Sequence, residues 1–123
     1  MSELLVPMSV GELLDKISIL KIKQKKIQDP KKLVNVTKEL NMLQEIQNRY
    51  GFYSLLEENL EVVNSLLWDI EDKIRTFLHE SDFSIDFIQS ALLVPILNDK
   101  RFTLKRKINN KFGSPLEEEK SYS

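Results

Sequence analysis

Leu56, Leu60, Val63, Leu67, Ile70, Ile74 and Phe77 recur at strict four-three spacing through the middle of the chain. That period marks one face of a helix. Ser54-Leu55-Leu56-Glu57 has the form of a capping box, so the pattern predicts a long third helix ending near Leu78. Upstream, Val10, Leu13, Leu14, Ile17, Leu20 and Ile27 trace a first helix, opened by the box Ser9-Val10-Gly11-Glu12 and stopping near Gln28. Asp29-Pro30 reads as the N-cap and first position of a second helix. That helix carries Leu33, Val36, Leu40, Leu43 and Ile46 and ends at Tyr50, with Gly51 just beyond its last turn. The join is short enough to fold helices 1 and 2 into an antiparallel hairpin.

After the turn HESDFS, where Ser81, Asp82 or Ser84 would cap, a fourth helix runs from about Ile85 to Lys111 and closes at Gly113. Pro95 inside it predicts a kink or a break near Leu93-Val94. The tail SPLEEEKSYS has no period and is expected to be extended or disordered. The expected fold is an all-α antiparallel bundle of about four helices, one domain over residues 1–113 with a tail over 114–123.

Helical wheels locate the polar groups. On helix 3, Asp69 and Asp72 point about 135° and 165° from the core direction, while Glu71 and Arg75 lie about 65° and 105° from it, at the core's edge. Asp69–Lys73 and Glu71–Arg75 are also ordinary i,i+4 pairs of a wet face. Trp68, about 125° off the core line, calls for a second packing surface. Ile19 and Ile22 lie on the back of helix 1, beside Asp15 and Lys26. Leu55, Val62 and Leu66 widen the apolar arc of helix 3. Self-association through the backs of helices 1 and 3, giving a homodimer, would bury these groups. On helix 4, Arg101 lies about 40° from the core line set by Leu97, Leu104 and Ile108. An arginine so placed needs a carboxylate or an anionic ligand, and Glu71 is the first candidate, ahead of Asp15 or Glu12. A half-buried cluster of Glu71, Arg75, Asn98, Arg101 and Lys105 is therefore expected. It either pins helix 4 on helix 3 or lines a binding pocket.

Composition narrows the chemistry. The 123 residues hold 18 basic and 19 acidic side chains, for a formal charge of −1, with no cysteine, one histidine and three glycines. Thiolate sites, disulfides, histidine clusters and glycine-rich phosphate loops are thereby excluded. No balance of charge draws in nucleic acid or anionic membrane. The lysine run from Lys21 to Lys32 lacks the arginines and stacking aromatics of a nucleic-acid surface. It suits a solvated helix end, as does His79. No apolar run is long enough to span a bilayer, and MSELLVPMSV lacks a basic n-region. A soluble cytoplasmic protein is the expectation, with a protein partner possible and nucleic acid or membrane not expected.

Glu12-Leu-Leu-Asp15 and Asp69-Ile-Glu-Asp72 have the i,i+3 spacing with which all-helical nucleotide pyrophosphatases hold Mg²⁺. The wheels turn Asp15, Asp69 and Asp72 outward, away from a monomer's pocket. LLDKISILKIK loosely matches the first helix of small chorismate mutases, without the arginine such a site needs. No cofactor or metal site is called for, and Mg²⁺ enters only with the nucleotide reading.

MSVGELLDKISILKIKQKKIQDPKKLVNVTKEL, LWDIEDKIR, NDKRFTLKRKIN and GSPLEEEKSY, in that order, resemble the blocks of an uncharacterised bacterial domain-of-unknown-function family over roughly residues 7–122. The resemblance implies a small helical fold and no particular reaction. It takes in the whole polar cluster together with Glu12, Asp15 and Lys16. It also includes the tail motif Glu118 to Tyr122, which suggests that Tyr122 docks back on the bundle or on a partner. The sequence thus favours a helical protein-interaction or scaffold module. The alternative is a small-anion or nucleotide-binding domain, Mg²⁺-dependent in the pyrophosphatase-like version.

Overall fold

A computed structural model describes residues 3–116 and 118–120. Four helices account for its regular structure: α1 (Val10–Lys26), α2 (Pro30–Tyr50), α3 (Leu56–His79) and α4 (Ile85–Phe112). No strand occurs among the described residues. The expected dock of Tyr122 lies outside them.

Local chemistry sets the helix ends. Ser9 Oγ accepts from the Glu12 N–H at 3.1 Å, and Asp29 Oδ1 accepts from the Lys31 N–H at 2.9 Å with Pro30 in the first turn. Gly51 and Gly113 end α2 and α4 in the left-handed region, at φ 68° and 62°, where glycine carries no Cβ penalty. The capping box expected at Ser54–Glu57 is only half made. Ser54 Oγ accepts from the Leu56 N–H, whereas the Glu57 carboxylate takes a bond from Gln47 Nε2 at 2.8 Å. That glutamine also donates to the Phe52 carbonyl at 3.0 Å, tying the α2–α3 loop to both helices. α1 stops at Lys26, two residues short of the expected end, as Ile27 turns extended.

α4 does not break at Pro95; it is one helix from Ile85 to Phe112. The proline sits on the exposed face, where water can reach the Ala91 carbonyl that lost its donor.

α1 is the hub. It packs against α2, α3 and α4, while α3 and α4 also pack on each other. The core combines Leu14, Ile17 and Leu20 of α1 with Leu40, Leu60 and Ile108, one from each other helix. A smaller cluster of Val63, Leu67 and Leu97 continues between α3 and α4 and shares Leu104 with the first. With neighbours on three sides, the buried arc of α1 spans about 220° of its circumference. Asp15 and Ile22, expected on its outer back, are therefore buried, and Ile19 is half-buried. The isoleucines expected to seek a partner on the back of α1 are thus covered, wholly or in part, within the chain.

α1 comes closest to α4 at Gly11. A Cβ there would stand 2.6 Å from the Lys105 carbonyl oxygen and 2.8 Å from Asn109 Oδ1. Gly11→Ala gains helix propensity of about 1 kcal/mol, but the obstructing carbonyl belongs to a helix backbone and cannot swing aside. We expect a net loss of about 1–3 kcal/mol by urea unfolding. A stabilised variant would show that the two helices part at little cost.

Candidate functional site

Three residues of α4 one turn apart, Arg101, Lys105 and Asn109, meet the first half of α1. Arg101 grips Asp15 bidentately, Nε to Oδ1 at 2.9 Å and Nη2 to Oδ2 at 2.5 Å. Asp15 is 2% exposed, and its Oδ1 also accepts from Asn64 Nδ2 of α3 at 2.9 Å. Asn64 Nδ2 donates as well to Ser18 Oγ at 2.7 Å, and that hydroxyl donates to the Asp15 carbonyl at 2.7 Å. One carboxylate thus joins three helices. The hydrogen bond to Asp15 holds the Arg101 pKa above the ordinary arginine value, against the opposing effect of burial.

Lys105, 6% exposed, bridges Glu12 at 2.6 Å and Glu118 at 3.0 Å. Burial alone would lower its pKa. Hydrogen bonds to Glu12 and Glu118 outweigh that and raise it above lysine's ordinary 10.5. One turn on, Asn109 Oδ1 accepts from the Gly11 N–H at 2.7 Å, and Ser114 Oγ accepts from the Val10 N–H at 3.3 Å. With Ser9 on Glu12, the first three amides of α1 are met by side chains. This helix N-terminus has its donors satisfied within the chain.

The cluster expected from the wheels divides. Arg101 and Lys105 stand at its centre and Asn98 is half-buried nearby on α4, but Glu71 and Arg75 lie exposed on α3. Arg75 pairs with Asp72 at 2.8 Å. The carboxylate of Arg101 is Asp15, not Glu71, because α1 is buried on a second flank that a single core stripe does not foresee. The sequence reading ranked Asp15 behind Glu71 as the partner of Arg101 and set Asn109 only in a polar stripe of helix 4, while Asn64 and Ser18 escaped it. Asn64 carried a signal: it sits within the apolar arc of α3, between Leu60 and Leu67, where an amide needs partners.

Beside Arg101 opens a cleft of about 280 Å³ lined by Glu12, Asp15, Lys16, Lys23, Glu39 and Arg101. Its three carboxylates balance its three cations, and Lys16 already pairs with Glu39 at 3.0 Å. Both i,i+3 acid pairs are engaged by cations: Glu12 and Asp15 by Lys105 and Arg101, Asp69 and Asp72 by Lys26 and Arg75. Among the described residues, no three carboxylate or histidine groups converge as metal ligands. None of their buried side-chain nitrogens or oxygens lacks a partner.

Arg101→Met strands a buried carboxylate with neutral partners only, and should cost about 3 kcal/mol in urea unfolding. Asp15→Asn strands the arginine. The double variant should lose less than the sum of the two by at least about 1 kcal/mol; simple additivity would mean that the pair is not coupled. Lys105 supplies a pH test. Its folded pKa is raised, so its contribution is complete below about pH 10.5 and is lost as pH rises through the folded value. The stability gap between the native chain and Lys105→Met should therefore hold steady up to about pH 10.5 and narrow only above it.

No curated protein and no solved structure matches the chain. A family model does, and it spans the core helices, the Asp15–Arg101–Lys105 network and the tail alike: residues 4–123 place this chain in the family of unknown function DUF6165.

Proposed function

We propose that the protein is a helical protein-interaction module without chemistry of its own, and that it works as a homodimer in the cytoplasm of a bacterial cell. The carrying observation is the back of α4. Ile85, Ile88, Leu92 and Ile96 form an exposed apolar stripe about 180° from the face that packs on α3 and α1. Leu92 is 61% exposed. From residue 71 to residue 98 only Ser90 and Leu97 are buried, so the far end of the α3–α4 hairpin offers apolar groups in two directions and encloses few.

A second copy suits this stripe. Ile88, Leu92 and Ile96 form an i±4 ridge that repeats itself on reversal about Leu92. A two-fold partner would set Ile88 against Ile96 and Leu92 against Leu92, in the common packing class near −50°. Ile85 lengthens the ridge and Leu93 flanks it, adding exposed apolar area toward the ~800 Å² each partner gives to a standard interface. This moves the proposed contact from the backs of helices 1 and 3 to the back of α4, although Val62 and Leu66 of α3 stay exposed.

The small-anion or Mg²⁺-dependent nucleotide reading draws less support. Arg101 and Lys105, the cations it would use, already hold carboxylates.

Sedimentation across a concentration series tests the homodimer. The native chain should associate, and Leu92→Glu should be monomeric with unchanged helicity. In the dilute monomer the same substitution should alter unfolding by less than about 0.5 kcal/mol, as at any exposed site. A native chain that stays monomeric at its highest soluble concentration would overturn the second copy as partner.

A further inference from the structure

Beyond Gly113 the chain reverses and runs back along the C-terminal half of α4. Ser114 N–H donates to the Asn109 carbonyl at 2.9 Å. Glu118 reaches Lys105 at 3.0 Å, and its backbone carbonyl accepts from Arg106 Nη1 at 3.3 Å. Glu119 Oε1 accepts from the same arginine atom at 3.1 Å. Lys120 Nζ stands 5.4 Å from the centre of the Phe102 ring. Among the described residues, the segment expected to be extended or disordered thus meets α4 through the Glu118 and Glu119 carboxylates, the Glu118 carbonyl and Lys120 over an aromatic face.

The two sides of this contact are unequal. Lys105 is oriented by Glu12 of α1 at 2.6 Å, a contact made without the tail. The arriving side is wet: the Glu118 and Glu119 side chains are 40% and 76% exposed. Exposed ion pairs of this kind hold weakly and are screened by salt. What keeps them closed is the tether, which gives the segment a high effective concentration at its own groove. Recognition through a main-chain carbonyl as well as carboxylates is recognition of a peptide, not of a free anion.

We infer that Phe102, Lys105 and Arg106 form a docking groove for an acidic extended peptide, and that the protein's own tail, through Glu118, Glu119 and Lys120, is its resident occupant. The groove lies on the C-terminal half of α4, apart from the apolar stripe on the N-terminal half, so it stands or falls independently of the homodimer. A partner's acidic segment gains the groove by displacing the strap.

The test uses the full chain with Glu118→Lys and Glu119→Lys, which sets lysines against Lys105 and Arg106 and releases the strap. A fluorescent synthetic peptide of residues 114–123 is titrated by anisotropy against this variant and against the native chain. The variant should bind at least tenfold more tightly than the native chain. Binding should weaken with salt and fall at least tenfold when Arg106→Ser is added. Equal binding by both chains, or binding by neither, would overturn the groove. Should the variant fail to fold, hydrogen exchange on the native chain decides. Excess unlabelled peptide should speed exchange of the amides between 114 and 120, and an unchanged rate would sink the proposal.

Discussion

The carboxylate of Asp15 is the constraint around which the fold is arranged. It is buried in the first helix and carries a charge that low-dielectric surroundings penalise heavily. It persists because Arg101 delivers two donors from α4 and Asn64 one from α3. Those three elements can meet only if α1 lies between α3 and α4, and that placement makes α1 the hub. The hydrophobic core could be filled by many aliphatic combinations at similar volume. The polar contacts are less forgiving, since they specify which turn of α4 faces which turn of α1. Gly11 faces Asn109, Glu12 faces Lys105, and Asp15 faces Arg101. A slip of one turn would bring Asp15 to Lys105 and leave Arg101 half-buried without its carboxylate. Such a network adds little net stability over an apolar equivalent, yet any partly made version of it is costly. Its contribution to this fold is register.

Gly11 completes that arrangement by letting the helices approach where the network begins. The space its missing side chain leaves is filled by the Lys105 carbonyl and the Asn109 amide, and Asn109 then satisfies a helix N-terminal donor that would otherwise need water. Close packing and capping are here one contact.

Most of the architecture was legible from periodicity and caps. Four-three spacing located α3, the Asp29-Pro30 pair and Gly51 bounded α2, and Gly113 closed α4, because these signals are local and act within one turn. The candidate site was legible only in part. A helical wheel assigns one core direction to each helix, which suits α3 but not α1, whose neighbours surround it. Asp15 therefore looked solvated, and Arg101 was matched to Glu71 on the nearest helix in sequence. The contacts of the tail were not legible for a related reason. Its order comes from contacts with Lys105 and Arg106, made by charges that in sequence resemble any solvated end. Pro95 posed the opposite problem: a strong local signal for a break had no such effect, because its face of α4 is exposed and the lost donor is replaceable.

The Asp15–Arg101 contact also has a consequence in time. Its partners are separated by 86 residues, and the Val10–Ser114 contact by 104. A ribosome adding ~5–20 residues per second therefore leaves the first helix waiting on the order of 4–17 s for its arginine. Over that interval the α1–α2 hairpin can close and α3 can bring Asn64 to Asp15 and Ser18, but the arginine is still to be made. The nascent chain thus passes through a stage in which Asp15 has neutral partners alone, and its carboxylate keeps contact with water until the last helix arrives to neutralise it.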